Sequence, residues 1–175
     1  VHKRASIWAF FVLQLALQSY GSIWALYTQH KFGWDSVQIG VSLTFVGLSV
    51  AIGQGLTARF LVPFLGEKKA IAIGLVVLFI NFLIFAFSQT NVGIYTAIGF
   101  ILITSIAAPT LQANISRDTP KNEQGKLQGS LVSLMSFCSF IGPLFYTYIF
   151  KYSTHVMQPE LPGAPFLASG ALVLI

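Results

Sequence analysis

Charge is the scarcest property of this chain, and its scarcity excludes most classes of soluble protein. Only 9% of the 175 residues are charged, and 55% are hydrophobic, whereas soluble globular domains carry about 25% charged residues. Residues 70–116 contain no Asp, Glu, Lys or Arg at all. That uncharged run is long enough for two membrane-spanning helices, which need about 20 apolar residues each. The chain is therefore predicted to be an integral membrane protein in contact with the lipid bilayer.

Cysteine and clustered histidine are also lacking. The single cysteine, Cys138, excludes an internal disulfide framework and the common multi-cysteine metal sites, and the three histidines lie in or beside loops. We find no catalytic triad, paired-carboxylate site, phosphate-binding loop or metal-ligand cluster. The sequence therefore predicts a protein that is not an enzyme and that needs no metal or cofactor. The net charge of +5 comes without a basic run among aromatics, so a nucleic-acid partner is not expected.

Apolar stretches alternate with the charged loops, and each must be helical because lipid offers no hydrogen bonds to the backbone. The predicted spans are residues 5–29, 37–61, 70–88, 92–116, 127–150 and 164–175. The twelve residues of the last would rise only about 18 Å, short of a hydrocarbon core of about 30 Å. Together with Val1 in place of Met, this truncation suggests an internal piece of a longer, transporter-sized chain.

The basic residues are distributed unequally between the two sides of these spans. Of the ten Lys and Arg residues, Lys31 and Lys151 alone lie on one side. The positive-inside rule therefore places the opposite side, with the loops at residues 62–69 and 117–126, in the cytoplasm. Six aromatic residues would then form a belt near the outer interface: Trp24, Tyr27, Trp34, Tyr95, Tyr148 and Tyr152.

Small and polar side chains recur at intervals of three and four residues within four spans, which places them on single helical faces. Such stripes often serve close helix packing, with amides hydrogen-bonded across the interface. For amides at mid-membrane depth, a water-filled cavity is the competing interpretation, because burying an unpaired amide costs several kcal/mol. On that interpretation the predicted substrate-binding residues are Gln14, Gln18, Gln54, Thr104, Gln112 and Ser136.

Five short motifs then follow one another along the chain. They are QIGVSL at residues 38–43, GEKKA at 66–70, APTLQA at 108–113, QGKLQGSL at 124–131 and IGPLFYT at 141–147. In order and spacing they resemble the C-terminal half of the major facilitator superfamily, within the tetracycline/proton antiporter group.

The resemblance implies an all-α polytopic membrane protein: a six-helix half, helices 7–12, of a major-facilitator fold, with the last helix truncated and the N-terminal half outside this chain. It implies alternating access in a bacterial cytoplasmic membrane, with a small-molecule substrate bound between the halves. The implied cytoplasmic gating residues are Arg59, Gly66, Glu67, Lys68, Arg117 and Gly125. The expected helix hinges are Pro109, Gly142 and Pro143.

Three positions depart from the family pattern. Tetracycline exporters carry a histidine four residues before the glutamine that matches Gln54, where this chain has Val50. They carry an aspartate four residues after the glycine that matches Gly74, where this chain has Leu78. In addition, the family's cytoplasmic arginine is displaced by one position at Arg59.

We therefore predict proton-coupled efflux of a drug-like or amphipathic small molecule. This half would supply neutral polar groups, and the proton-handling acids would lie in the other half. Two alternatives remain open. One is an importer of a small neutral solute such as a sugar, peptide or siderophore, and the other is a membrane protein with a purely structural role.

Overall fold

A computed structural model describes residues 2–56, 59–60 and 62–175, with side chains from residue 5 onward within those ranges. This part of the chain is helical and contains no strand. The helices are α1 (His2–Phe32), α2 (Ser36–Leu56), α3 (Val62–Leu65), α4 (Glu67–Phe87), α5 (Asn91–Thr104), α6 (Ala107–Arg117), α7 (Gln124–His155) and α8 (Ala164–Val173), with a short 3-10 turn at Lys121–Glu123 before α7.

Five helical segments are long and apolar enough to cross a membrane: Ala5–Phe32, Ser36–Leu56, Glu67–Phe87, Asn91–Arg117 and Lys121–His155. The short apolar helix α8 follows them. The first five predicted spans overlap these segments and the sixth overlaps α8, although the end of the second span, at residues 57, 58 and 61, lies outside the described residues. Long uninterrupted hydropathy therefore determines the number and order of the helices.

The corner between α1 and α2 differs from the predicted loop at residues 30–36. Helix α1 continues through Lys31 to Phe32, and the Lys31 Nζ donates to the Ala86 carbonyl at the end of α4 over 3.2 Å. Gly33 then takes a φ of 66°, and its N–H bonds to the Gln29 carbonyl at 3.0 Å. This is a left-handed glycine cap, which ends a helix abruptly.

Helix α2 begins immediately afterwards with a reciprocal cap. The Gln38 N–H donates to Asp35 Oδ1 at 2.8 Å, and the Asp35 N–H donates to Gln38 Oε1 at 3.1 Å. This capping box satisfies two backbone donors that the first turn would otherwise leave unpaired. The corner is therefore only three residues long and is capped on both sides.

The second predicted loop, residues 62–69, is also largely helical. Residues 62–65 form the short helix α3, and α4 begins at Glu67, so Lys68 and Lys69 lie in its first turn. Gly66 separates the two helices with a φ of 77°, a backbone conformation that other residues rarely adopt.

The fourth predicted span is broken into α5 and α6 at Ser105 and Ile106. Pro109 lies four residues beyond Ser105, and proline both lacks the N–H that would bond to that carbonyl and clashes with it. Gly74 of α4 packs against the break, since a Cβ added there would lie 2.9 Å from Ile106 Cγ2.

Helix α1 packs against α6, α7 and α8, helix α4 against α5, α6 and α8, and α2 against α5. An aromatic cluster fills the centre, where the Phe166 ring lies 5.0 Å from Tyr27 and 5.3 Å from Phe85. The Tyr20 ring stacks on Phe82 at 5.3 Å. Helices α2 and α7 keep most of their residues exposed.

Three of the six residues predicted for the aromatic belt do not face outward from the bundle. Trp24, Tyr27 and Trp34 are buried in the core. Each finds a partner for its polar atom: Trp24 Nε1 donates to Ser42 Oγ at 2.9 Å, Trp34 Nε1 donates to Asn91 Oδ1 at 3.0 Å, and the Tyr27 hydroxyl donates to the Phe85 carbonyl. The other three, Tyr95, Tyr148 and Tyr152, are exposed as expected.

Candidate functional site

An apolar cavity of about 230 Å³ lies between α1, α2 and the broken α5–α6 segment. We call it the inner pocket. Its lining residues are Leu17, Tyr20, Val46, Val50, Gln54, Ile101, Thr104, Ser105, Ala108 and Pro109. None of them is charged, so the pocket offers dispersion contacts and neutral hydrogen bonds only.

A close helix contact sets one wall of the inner pocket. A Cβ added at Gly53 would collide with the Leu102 carbonyl oxygen and the Ser105 hydroxyl, so α2 and α5 approach through backbone atoms at this point. Gln54 is the next residue and is exposed on α2. The glycine contact therefore fixes the position from which the Gln54 amide borders the cavity.

Each hydroxyl group of the inner pocket has a hydrogen-bond partner within the protein. Ser105 Oγ donates to the Leu102 carbonyl at 3.0 Å, and Thr104 Oγ1 lies 3.4 Å from the Ile101 carbonyl. The Tyr20 hydroxyl accepts from Asn81 Nδ2 at 3.3 Å. Because these serine and threonine protons are directed to the backbone, the two oxygens remain as acceptors towards a bound molecule.

A second cavity, of about 440 Å³, adjoins the inner pocket at Gln54 and Pro109. We call it the vestibule. Its other lining residues are Val62, Glu67, Ile106, Thr110, Ala113 and Arg117. Unlike the inner pocket, it carries charge of both signs.

One ion pair crosses the vestibule. Arg117 Nη2 lies 2.6 Å from Glu67 Oε1, and the side chains are 69% and 25% exposed, respectively. Glu67 opens α4 and Arg117 closes α6, so each charge also lies at the helix end whose dipole favours it. The pair ties the broken α5–α6 segment to α4 while most of the Arg117 side chain stays accessible.

Nearly the whole chain matches one known protein family. Residues 6–175 match the Major Facilitator Superfamily. The chain belongs to the major facilitator superfamily.

Its relatives include bacterial drug-resistance proteins. It is 36% identical to the class E tetracycline resistance protein of Escherichia coli over 142 residues, which are 81% of this chain and 35% of that protein. It is 30% identical to the class C protein of Escherichia coli over 166 residues, which are 95% of this chain and 41% of that protein. The chain thus spans little more than a third of the length of these relatives.

A solved structure shows the same fold. The human organic anion transporter MFSD10 superposes with a TM-score of 0.83 at 22% sequence identity, over 98% of this chain and 38% of that one. The predicted family and the all-α membrane fold of the major facilitator type are therefore confirmed. The division into a C-terminal half with particular span boundaries stays a prediction.

The structure brings two of the predicted substrate-binding residues of this major facilitator chain together, Gln54 and Thr104 in the inner pocket. The others lie elsewhere. Gln18 Nε2 donates to Ser139 Oγ of α7 at 2.9 Å, and Gln112 Nε2 lies 3.4 Å from Gln128 Oε1. Gln14 is half-buried on α1, and Ser136 is exposed on α7. Substrate binding by these residues stays a prediction.

The predicted gating and hinge residues separate in a similar way. Glu67 and Arg117 form the ion pair, while Lys68, Gly125 and Arg59 are exposed. Of the predicted hinges, Pro109 adjoins a helix break, whereas α7 runs without interruption through Gly142 and Pro143. A Cβ added at Gly142 would lie 2.5 Å from Gln18 Cβ, so this glycine permits close packing of α1 on α7.

Tyr20 and Asn81 are two hydrogen-bonded residues of the site to which sequence reasoning gave no role. Tyr20 lines the inner pocket, and Asn81 is fully buried behind it. The signal for Asn81 was present, because it is a strongly polar residue within an otherwise apolar span. The pairing of the two could not be predicted, since the two residues are 61 positions apart in the sequence and lie on different helices.

Proposed function

We propose that this chain forms the C-terminal half of a secondary active transporter that exports a drug-like or amphipathic small molecule by alternating access. The observation that carries the proposal is the inner pocket: an uncharged cavity bordered by Gln54, Thr104 and Tyr20 beside a break in a spanning helix. An apolar lining with a few polar groups is the usual composition of a small-molecule site.

Alternating access needs two bodies that rock about a central site. The largely exposed helices α2 and α7 supply faces on which an N-terminal half could pack, with the inner pocket bordered by one of them. The lengths of the tetracycline resistance relatives leave room for such a half. Substrate would then bind between the two halves, as this family's fold allows.

Proton coupling belongs to the other half in this proposal. The inner pocket has Val50 and hydroxyl or amide groups where a titratable carboxylate or imidazole would be needed. Ionisable residues within spans mark proton pathways in transporters, so we place the coupling acids outside this chain. The basic end of the bundle, with Lys68, Lys69 and Arg117, would face the cytoplasm by the positive-inside rule.

The test is transport by the whole protein in proteoliposomes under an imposed pH gradient. Tetracycline would be offered as the export substrate, with a hexose as the neutral solute expected of the alternative importer. Gradient-driven accumulation of tetracycline, abolished by a protonophore, is the expected result. Flux of the hexose alone would favour the importer. Absence of flux for every solute by correctly inserted protein would exclude a transporter.

A further inference from the structure

The inner pocket and the vestibule adjoin, and they differ in chemistry. Gln54 and Pro109 border both cavities, so they mark the point where an apolar space meets a charged one. Pro109 and Arg117 are eight residues apart on α6, which corresponds to about 12 Å along the helix. A molecule that filled the inner pocket and extended past Gln54 over that distance would reach the guanidinium.

The exposed charge at the far end of this path is positive. The Arg117 side chain is 69% exposed, whereas that of its partner Glu67 is 25% exposed, so Arg117 is the more accessible member of the pair. Arginine has five N–H donors, and a single contact with Glu67 does not use them all. Carboxylates, sulfonates and phosphates are the groups that bind a guanidinium most strongly.

The ends of the two helices that carry the ion pair hold further cations. Lys68 and Lys69 follow Glu67 in the first turn of α4. With Arg117 they make three cations, against the two acids Glu67 and Asp118. An excess of cations raises the local concentration of anions.

We propose that the two cavities form one binding site for an amphipathic anion, with the anionic group at Arg117 and the apolar body beyond Gln54 in the inner pocket. This inference rests on the proposed transport function and adds the charge of the substrate. Glu67 holds the guanidinium in place and keeps it from binding anions too tightly to release them.

The experiment compares two dyes that share a xanthene ring system and differ in charge. Fluorescein is an anion at neutral pH, and rhodamine 123 is a cation. Transport of each by the whole protein is measured in proteoliposomes, with tetracycline as a third solute. We expect fluorescein to be transported and rhodamine 123 to be transported at least tenfold more slowly.

Three variants separate an anion site from a structural ion pair. Arg117→Gln is expected to lower fluorescein transport about tenfold, because one charge-assisted hydrogen bond is lost. Arg117→Lys keeps the charge and is expected to retain most of the activity. Glu67→Gln frees the guanidinium and is expected to lower the KM for fluorescein. The matched control is Lys121→Gln, which removes an exposed cation outside the vestibule lining and is expected to have no effect.

The outcomes distinguish the two proposals. If Arg117→Gln and Glu67→Gln slow all solutes equally, the pair is structural and the anion site is wrong. If the wild-type protein transports tetracycline or rhodamine 123 but not fluorescein, the transporter proposal stands and the anion site is again wrong. If no solute moves at all, the transport function itself fails, and the substrate inference fails with it.

Discussion

Gln18 Nε2 donates a hydrogen bond of 2.9 Å to Ser139 Oγ, and this bond joins α1 to α7 at the point where Gly142 packs on the Gln18 side chain. The sequence pattern suggested a cavity residue here, which stays a prediction. In the described structure the amide takes part in a close helix contact, of the kind in which small residues and polar side chains occur together in membranes.

The first prediction concerns this contact. Gly142→Ala places a Cβ 2.5 Å from Gln18 Cβ, so the helices must separate, and overpacking of this kind costs about 1–3 kcal/mol. The thermal unfolding temperature of the purified protein should fall. Gly99→Ala is the control, because nothing lies within 4 Å of a Cβ added there. Equal unfolding temperatures for the two variants would contradict the packing role.

The second prediction tests the contact between α2 and α5 with two neighbouring glycines. A Cβ at Gly53 would collide with the Leu102 carbonyl oxygen, whereas a Cβ at Gly55 meets no atom within 4 Å. Gly53→Ala should therefore lower both stability and transport, because it displaces the wall of the inner pocket. Gly55→Ala should not lower either one, because the added methyl group meets no atom and alanine favours the helix more than glycine does. Similar losses in both variants would show that the close approach is not the cause.

The third prediction concerns Gln54. Gln54→Leu keeps the approximate size of the side chain but removes its hydrogen-bonding groups, so kcat/KM for the transported solute should fall about tenfold, the equivalent of one hydrogen bond. The same change at Gln112, which lies beside Gln128 and outside the inner pocket, should have a smaller effect. Unchanged transport by an inserted Gln54→Leu protein would remove this residue from the site.

The fourth prediction uses an orphaned polar atom. Asn81 is fully buried, and its Oδ1 has no hydrogen-bond partner among the described residues. Asn81→Leu removes that unsatisfied acceptor together with the bond to Tyr20, so stability should change by no more than about 1 kcal/mol. Loss of several kcal/mol in thermal unfolding would mean that Asn81 has a stronger role in holding α4 on α1. Transport should fall modestly, because the Tyr20 hydroxyl loses its fixed orientation.

The fifth prediction concerns topology. In a background in which Cys138 is replaced by serine, Asn122→Cys should react with impermeant thiol reagents only from the cytoplasmic side. Gln158→Cys, which lies in the exposed segment between α7 and α8, should react only from outside. The reverse pattern would show that the positive-inside assignment is inverted.

Hydropathy alone predicted the helices well, and the reason is physical. The uncharged run at residues 70–116 has to form two spans in lipid, and α4 and the α5–α6 segment overlap it. The helix ends were less well predicted because they depend on local capping. The capping box of Asp35 and Gln38 was present in the sequence, but Asp35 was assigned to a loop and only Gln38 to the helix.

The burial of aromatic residues could not be predicted in the same way. Trp24 has both an apolar ring and an N–H donor. It therefore suits a membrane interface and a protein core that offers an acceptor, such as the Ser42 hydroxyl, equally well. Only the three-dimensional pairing, Trp24 Nε1 to Ser42 Oγ at 2.9 Å, decides between them. The partners of Gln18 and Tyr20 were hidden for the same reason, since each lies on a helix distant in sequence.

The capped corner between α1 and α2 has a mechanical consequence. Gly33 ends α1 and Asp35 caps α2. Because this connection is short and hydrogen-bonded on both sides, a rotation of α1 would rotate α2 with it. Extra residues inserted between Gly33 and Asp35 would let α1 and α2 move independently without changing the lining of either cavity.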